Sequence, residues 1–186
     1  TDGNYSRIIL SPKGKRLGEV GDGNRKDIRN AVAAARAAEA WSKTSTHNRA
    51  QILYYLAENL SAREAEFAGR LAAMTGNSTT SAKWEVKYAI ERLFTYGAYA
   101  DKFEGAVHQP PLRGVALAMK EAIGVVGVIV PWNFPIEIIL NKLGPVLAMG
   151  NTCVIKPAPD TPWNANRLGR LIAEKTDIPA GVVNIV

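Results

Sequence analysis

One cysteine, two histidines and no long apolar run exclude several common kinds of protein. With Cys153 alone there is no disulfide framework, and a reducing compartment, the cytoplasm, is the expected location. His47 and His108 stand apart from any Cys, His or carboxylate at ligand spacing, so no metal site is expected. The longest apolar stretch, Ala122 to Pro131, is about half of what a membrane span requires. Thr1 to Tyr5 are polar and carry no apolar signal core, so no membrane association is expected. Two nucleotide-binding signatures are missing too: no G-x-G-x-x-G follows the first sheet-type strand, and no G-x-x-x-x-G-K-[ST] loop occurs. The formal net charge is +6, yet no tract of five basic residues and no aromatic-interleaved basic stripe appears. Diffuse positive charge of this kind solvates a surface, and no nucleic-acid partner is expected.

The 47% hydrophobic and 22% charged content over 186 residues are those of a globular chain with a sizeable core. Arg7–Leu10 and Leu17–Val20 read as two short strands around a Ser11-Pro12-Lys13-Gly14 turn. Asn24 followed by Asp27 marks a helix start, with Ile28, Val32 and Ala35 on one face and an end near Trp41. Thr46 or Ser45 caps a second helix, striped by Ile52, Leu53, Leu56 and Leu60 and continuing to Met74, with Gly76 as the stop. Thr79–Ser81 caps a third, ending near Gly105, in which Trp84, Tyr88, Ile90 and Phe94 are expected to be buried as core. Pro110-Pro111 and Gly114 then bracket Val115–Met119, whose period-2 pattern suggests an extended hairpin.

Beyond this the texture becomes that of a parallel sheet. Ile123–Val130 is a continuous β-branched run of the kind buried on both faces, and Pro131 ends it. A helix over Ile136–Met149, a buried strand over Thr152–Ile155, a helix from Thr161-Pro162 to Glu174 and a strand over Val182–Val186 complete a βαβαβ unit. Open sheets of this kind bind ligands outside the carboxyl ends of their strands. The two loops at that edge, Pro131–Pro135 and Lys156–Asp160, are therefore where function is sought. The fold class is α/β, a helical front followed by part of a Rossmann-like parallel sheet.

The motifs of the last third carry a resemblance. Gly124-Val125-Val126-Gly127-Val128-Ile129, Pro131-Trp132-Asn133-Phe134-Pro135, Gly150-Asn151-Thr152, Val154-Ile155-Lys156-Pro157, Thr161-Pro162 and Pro179–Val186 resemble the NAD(P)-dependent aldehyde dehydrogenase superfamily closely. Residues 1–120 resemble the helical front of that family more loosely, through Ala33–Trp41, Arg49–Leu60 and the hairpin before Glu121. The resemblance implies one partial cofactor-binding domain over 1–186. It divides into a helical front (1–106), an oligomerisation hairpin (107–120) and the Rossmann-like βαβαβ unit (121–186).

It also implies an oxidoreductase that converts an aldehyde to a carboxylic acid with NAD, NADP being the alternative cofactor, and that works as a homo-oligomer. By the resemblance, Asn133 is the catalytic residue, its side-chain amide donating to the oxyanion of a thiohemiacetal. Chemistry agrees, because a carboxamide offers N–H donors without a charge. Lys156 corresponds to the lysine that bonds the adenosine ribose. Ile129, Val130, Pro131 and Trp132 wall the nicotinamide half, and Pro157, Ala158 and Pro159 continue the cofactor loop. Many NAD-preferring members carry a glutamate where Pro159 stands, and its loss removes both an attraction for the ribose 2′-hydroxyl and a repulsion toward a 2′-phosphate. Ala122, where members usually have proline, is a smaller departure. Cys153, in a strand of apolar neighbours, reads as a small filler and not as the family nucleophile. The family's general-base glutamate and nucleophilic cysteine lie downstream of anything matched, so the chain is expected to be a fragment that is inactive alone. A non-catalytic scaffold module with the same fold is the rival reading.

Overall fold

A computed structural model describes residues 5–186; the polar start expected over Thr1–Tyr5 falls, up to Asn4, outside them. An antiparallel hairpin comes first, β1 (Ser6–Leu10) and β2 (Arg16–Gly21), with Gly14 at φ 76° in the turn between them. Helix α1 (Arg25–Ala37) starts at the expected Asn24, whose side chain accepts from the Lys26 and Asp27 amides while the Asp27 carboxylate accepts from the Asn24 N–H. It does not run on to Trp41. Ala38 closes it, and Glu39–Lys43 tighten into a 3₁₀ turn that carries Trp41 into the core.

Helix α2 (Thr46–Ser61) is capped by Ser45, whose hydroxyl accepts from the Asn48 amide. The single helix expected from there to Met74 is in fact two. The chain breaks at Ala62–Arg63 and restarts as α3 (Glu64–Thr75), with Glu64 and Glu66 at the positive end of the new helix dipole and Gly76, at φ 74°, as its stop. The bend keeps Leu53, Leu56 and Leu60 of α2 and Phe67 and Leu71 of α3 on one core. Arg167 bridges back to Glu66 at 2.6 Å and holds that carboxyl below its ordinary range.

Helix α4 (Thr79–Tyr99) begins from Ser78, one residue before the expected caps, the Ser78 hydroxyl accepting from Ser81. Trp84 is not in the core: it is 58% exposed and stacked on Tyr88, with Arg92 over the Tyr88 ring. The buried stripe is Ala82, Val86, Ala89, the expected Ile90 and Leu93, small and aliphatic side chains that let neighbouring helices approach, with Glu85 among them. Gly144 leaves room for α4's Tyr96, since a Cβ there would sit 2.4 Å from the Tyr96 ring.

The expected second hairpin is present as β3 (Ala106–His108) and β4 (Ala116–Ala118), every residue of it exposed. The parallel sheet follows: β5 (Val125–Ile129), α5 (Pro135–Ala148), β6 (Thr152–Lys156), α6 (Trp163–Lys175) and β7 (Val183–Ile185), in strand order β5-β6-β7. Strand β6 is central, and its first four residues are buried as expected. Strand β5 corrects the sequence reading. Gly127 and Ile129 are exposed and only Val128 within the strand is buried, because β5 forms the sheet edge among the described residues. Pro162 takes the cap position of α6 itself, and the buried Thr161 hydroxyl caps nothing among the described residues. One core runs from α2 and α4 through α5 and α6 to β6.

Candidate functional site

The register of β5 on β6, Val125 opposite Thr152 through Ile129 opposite Lys156, brings the carboxyl ends of the two strands level. The Val130 amide adds one further bond, donating to the Lys156 carbonyl at 3.0 Å. The loops after the strands, 130–134 and 157–162, therefore leave the sheet side by side, one leading into α5 and the other into α6. Where the strands begin, Asn151 does the corresponding work. Its Oδ1 accepts from Ile123 N–H at 2.7 Å and Gly124 N–H at 3.0 Å.

The first loop is held under strain. Phe134 occupies the left-handed region (φ 52°, ψ 48°), and no other non-glycine among the described residues has positive φ. A bulky side chain disfavours that region, and the following Pro135 disfavours it further. The helix that starts here has no side-chain cap of its own. Pro135 has no N–H to satisfy, and the next two donors, Ile136 and Glu137, give their hydrogens to Oε1 of Glu85 at 3.2 and 3.4 Å. Glu85 sits in the buried stripe of α4, 2% exposed, and burial pushes its carboxyl pKa up against the pull of those two amides. Asn133, adjacent in sequence, is thereby not needed as a cap. It is exposed, and its side chain makes no hydrogen bond among the described residues.

Two clefts flank this edge. The larger, about 710 Å³, is lined by Trp132, Asn133 and Phe134 on one side and by Pro159, Asp160 and the β1 hairpin on the other. The smaller, about 170 Å³, is lined by Lys156, Pro157, Ala158 and Pro159 together with Asp22 and Asn166. Pro159 and Arg7 line both. The fold thus gathers Trp132, Asn133, Lys156, Pro157, Ala158 and Pro159 around one edge. Val130 and Ala158 are buried, so they present backbone more than side chain. Ile129 points elsewhere, into an apolar depression on the open side of β5 with Val126 and Pro145. Lys156 is exposed at the strand end, its ammonium donating to the Pro157 carbonyl at 3.2 Å.

Sequence reasoning did not find Arg7, which pairs with Asp22 at 3.3 Å, or Glu85. Nothing local marks either one, since a hairpin arginine and a mid-helix glutamate both read as surface residues. Cys153 is fully buried in β6, its thiol pushed up to about 12 by desolvation, so it holds no thiolate at neutral pH. Among the described residues no group of three His, Cys, Asp or Glu is placed to hold a metal ion, and no helix is long and apolar enough to cross a membrane.

A parallel α/β sheet with its polar loops at the carboxyl edge defines a class of α/β proteins that bind ligands at that edge. The comparisons narrow this. The sequence model of the aldehyde dehydrogenase family matches residues 3–186, and the chain belongs to that family. An aldehyde dehydrogenase of Aspergillus niger is 38% identical over 188 residues, covering 100% of this chain and 37% of the relative. The crystal structure of a putative aldehyde dehydrogenase from Burkholderia cenocepacia superposes with a TM-score of 0.96 at 34% identity, over 99% of this chain and 38% of that one. A point mutant of the betaine aldehyde dehydrogenase of Staphylococcus aureus, solved with NAD+, gives a TM-score of 0.96 at 26% identity, over 100% of this chain and 39% of that one. The chain spans little more than a third of the length of the relatives it matches.

Proposed function

We propose that these residues form one wall of the active site of an NAD(P)-dependent aldehyde dehydrogenase, which oxidises an aldehyde to a carboxylic acid. The observation that carries this reading is Asn133, an exposed carboxamide with no hydrogen-bond partner among the described residues, at the carboxyl edge of the sheet in a strained loop next to the loop that follows Lys156. Its N–H groups can donate to the oxygen that gains charge when a nucleophile adds to the aldehyde carbon, and they bring no positive charge that would trap the nucleophile. The thiolate that adds is not Cys153. The cofactor, when bound, accepts the hydride. The surrounding groups fit a dinucleotide: Lys156 donates to ribose hydroxyls, the exposed Pro131–Trp132 segment and the backbone of Ile129–Val130 edge the nicotinamide half, and Pro157, Ala158 and Pro159 form the rim.

NAD is the first cofactor, in keeping with the NAD+ in the Staphylococcus aureus relative. A second reading, NADP, is favoured by two observations. No carboxylate stands at Pro159, and with Arg7 neutralised by Asp22 in the small cleft, Lys156 is the cation there that can meet a 2′-phosphate. The protein acts as a homo-oligomer through β3 and β4, supported by the exposure of Val107, Leu117 and Met119 on that hairpin.

The test is reduction of NAD and of NADP by the natural full-length protein with a panel of aliphatic and aromatic aldehydes. Reduced cofactor is expected, and Asn133→Ala is expected to lower kcat by about 10² to 10³ with little change in cofactor KM. No reduction of either cofactor with any aldehyde overturns the reading.

A further inference from the structure

Helix α5 starts directly from the loop that carries Asn133, and its first turn is satisfied by a residue 51 positions away in sequence. A helix beginning after an asparagine ordinarily recruits that side chain as its cap. Here the position falls one residue later, on Phe134, which has no side-chain acceptor and stands in a backbone region that it and Pro135 both disfavour. Strained residues of this kind persist only where surrounding contacts over-determine them. Three contacts do so: the Ile138 amide bonds the Phe134 carbonyl at 3.0 Å, Pro135 is buried, and the Glu85 carboxylate takes the Ile136 and Glu137 amides. The last is a pair of hydrogen bonds from another element. It is also the one whose loss leaves two first-turn donors free to recruit another acceptor, and an asparagine just before the helix is a favoured one.

We propose that Glu85 is a positioning residue for Asn133: by capping α5 from α4 it locks the strained Asn133–Phe134–Pro135 turn and keeps the Asn133 carboxamide free for the developing oxyanion. The role rests on the aldehyde dehydrogenase reading of the site. Glu85 does not touch substrate or cofactor; it acts through the backbone of α5. An acceptor oxygen is what the cap needs, so glutamine at this position is competent, whereas leucine, of similar volume, is not.

The experiment compares wild type, Glu85→Gln and Glu85→Leu of the natural full-length protein by steady-state kinetics and by residue-resolved amide hydrogen exchange. In Glu85→Leu the Ile136 and Glu137 amides are expected to exchange about tenfold faster than in wild type, while those of β6 are unchanged. With the turn loosened, kcat falls about 10- to 100-fold and the KM for cofactor stays within about twofold. Glu85→Gln restores both. Should Glu85→Leu not accumulate as folded protein, Glu85→Asp, which withdraws the carboxylate by one methylene, carries the same comparison.

Unchanged exchange at Ile136 and Glu137 overturns the cap. Faster exchange with an unchanged kcat, or a loss of kcat that glutamine does not rescue, overturns the positioning role. A wild-type protein that reduces no cofactor with any aldehyde sinks the functional reading and the positioning role with it, and the exchange data then still decide whether the cap exists.

Discussion

Glu85 carries a carboxyl group into a helix-lined interior. Desolvation raises its pKa above the ordinary 4.5, the amides of Glu137 and Ile136 pull it down, and the neighbouring Glu137 carboxylate adds a push upward. Below the unfolded-state value both the native and unfolded chains hold the proton, and the contribution of Glu85 to stability is fully present. As pH rises through the higher native value the unfolded chain releases its proton first, and that contribution is lost. Glu85→Gln keeps an acceptor for the two amides and has nothing to titrate. Wild type should therefore lose ground to Glu85→Gln in urea unfolding as pH rises from the ordinary carboxyl range through the higher native value. A difference that stays constant with pH refutes the raised pKa. Cys153 gives a simpler check. With its thiol buried in β6 and pushed up to about 12, alkylation should be negligible in the native protein and rapid after denaturation; rapid labelling of the native state would contradict its inertness. The placement of Asn133 and Lys156 at the carboxyl edge of the sheet was legible in the sequence, because one stands in the loop after an apolar strand and the other at the end of the next. Glu85 was not, because its role depends on a partner helix that no local pattern announces.

At the scale of elements, α5 is clamped at both ends by residues of other helices. Glu85 of α4 meets the positive end of its dipole, and Arg49 of α2 meets the negative end, donating through Nε to the Ala148 carbonyl at 2.9 Å. The same guanidinium also serves the Ser42 and Thr44 carbonyls, so one buried cation ties α2, the 3₁₀ turn and α5 together. Arg49→Ala should cost about 2 to 3 kcal/mol, since it strands carbonyls that a charged donor had satisfied, and the melting temperature should drop by about 4 to 12 °C. A change within about 0.5 kcal/mol would show that water satisfies these groups equally well. Arg49→Lys should recover only part, because an ammonium is a point donor and cannot span three carbonyls as the planar fork does. The existence of α5 and its neighbours was readable from apolar periodicity, but the breaks were not. Ala62–Arg63 contain neither proline nor glycine, and the helix stops there because the core curves, not because the residues forbid it. Trp84 misled for a related reason: near-helical spacing of aromatics says which side chains share a face, and only the packed partners say whether that face is inside.

For the molecule as a whole, the surface is larger than its mass accounts for. A compact monomer of 20.1 kDa exposes about 8,700 Å² by the usual scaling of folded proteins. This chain exposes 10713 Å², an excess of about 2,000 Å², comparable to a stable protein interface. The excess has an address. On the β3–β4 hairpin Val107 and Leu117, directly opposite each other, are 73% and 62% exposed, and Met119 is 71% exposed. On and beside the open edge strand β5, Ile123 is 87% and Ile129 is 82% exposed. The apolar run Ile123–Val130 was read as buried on both faces because its composition asks for cover on both, and the described residues supply it on one side only. Exposed apolar side chains of this kind, and a strand edge unpaired among the described residues, call for cover by another part of the protein or by a second copy. If β3–β4 is a subunit contact, the natural protein sediments as an oligomer, and the pair Leu117→Lys and Met119→Lys shifts it toward monomer, since two ammonium groups cannot be buried there unpaired. Light scattering coupled to size exclusion decides the matter. If the double variant keeps the wild-type mass, β3–β4 is not the subunit contact, and the open side of β5 becomes the next surface to substitute, beginning with Ile123→Lys. If the variant is monomeric but retains the wild-type far-ultraviolet dichroism and unfolding transition, the hairpin serves assembly and contributes little to the fold of the single chain.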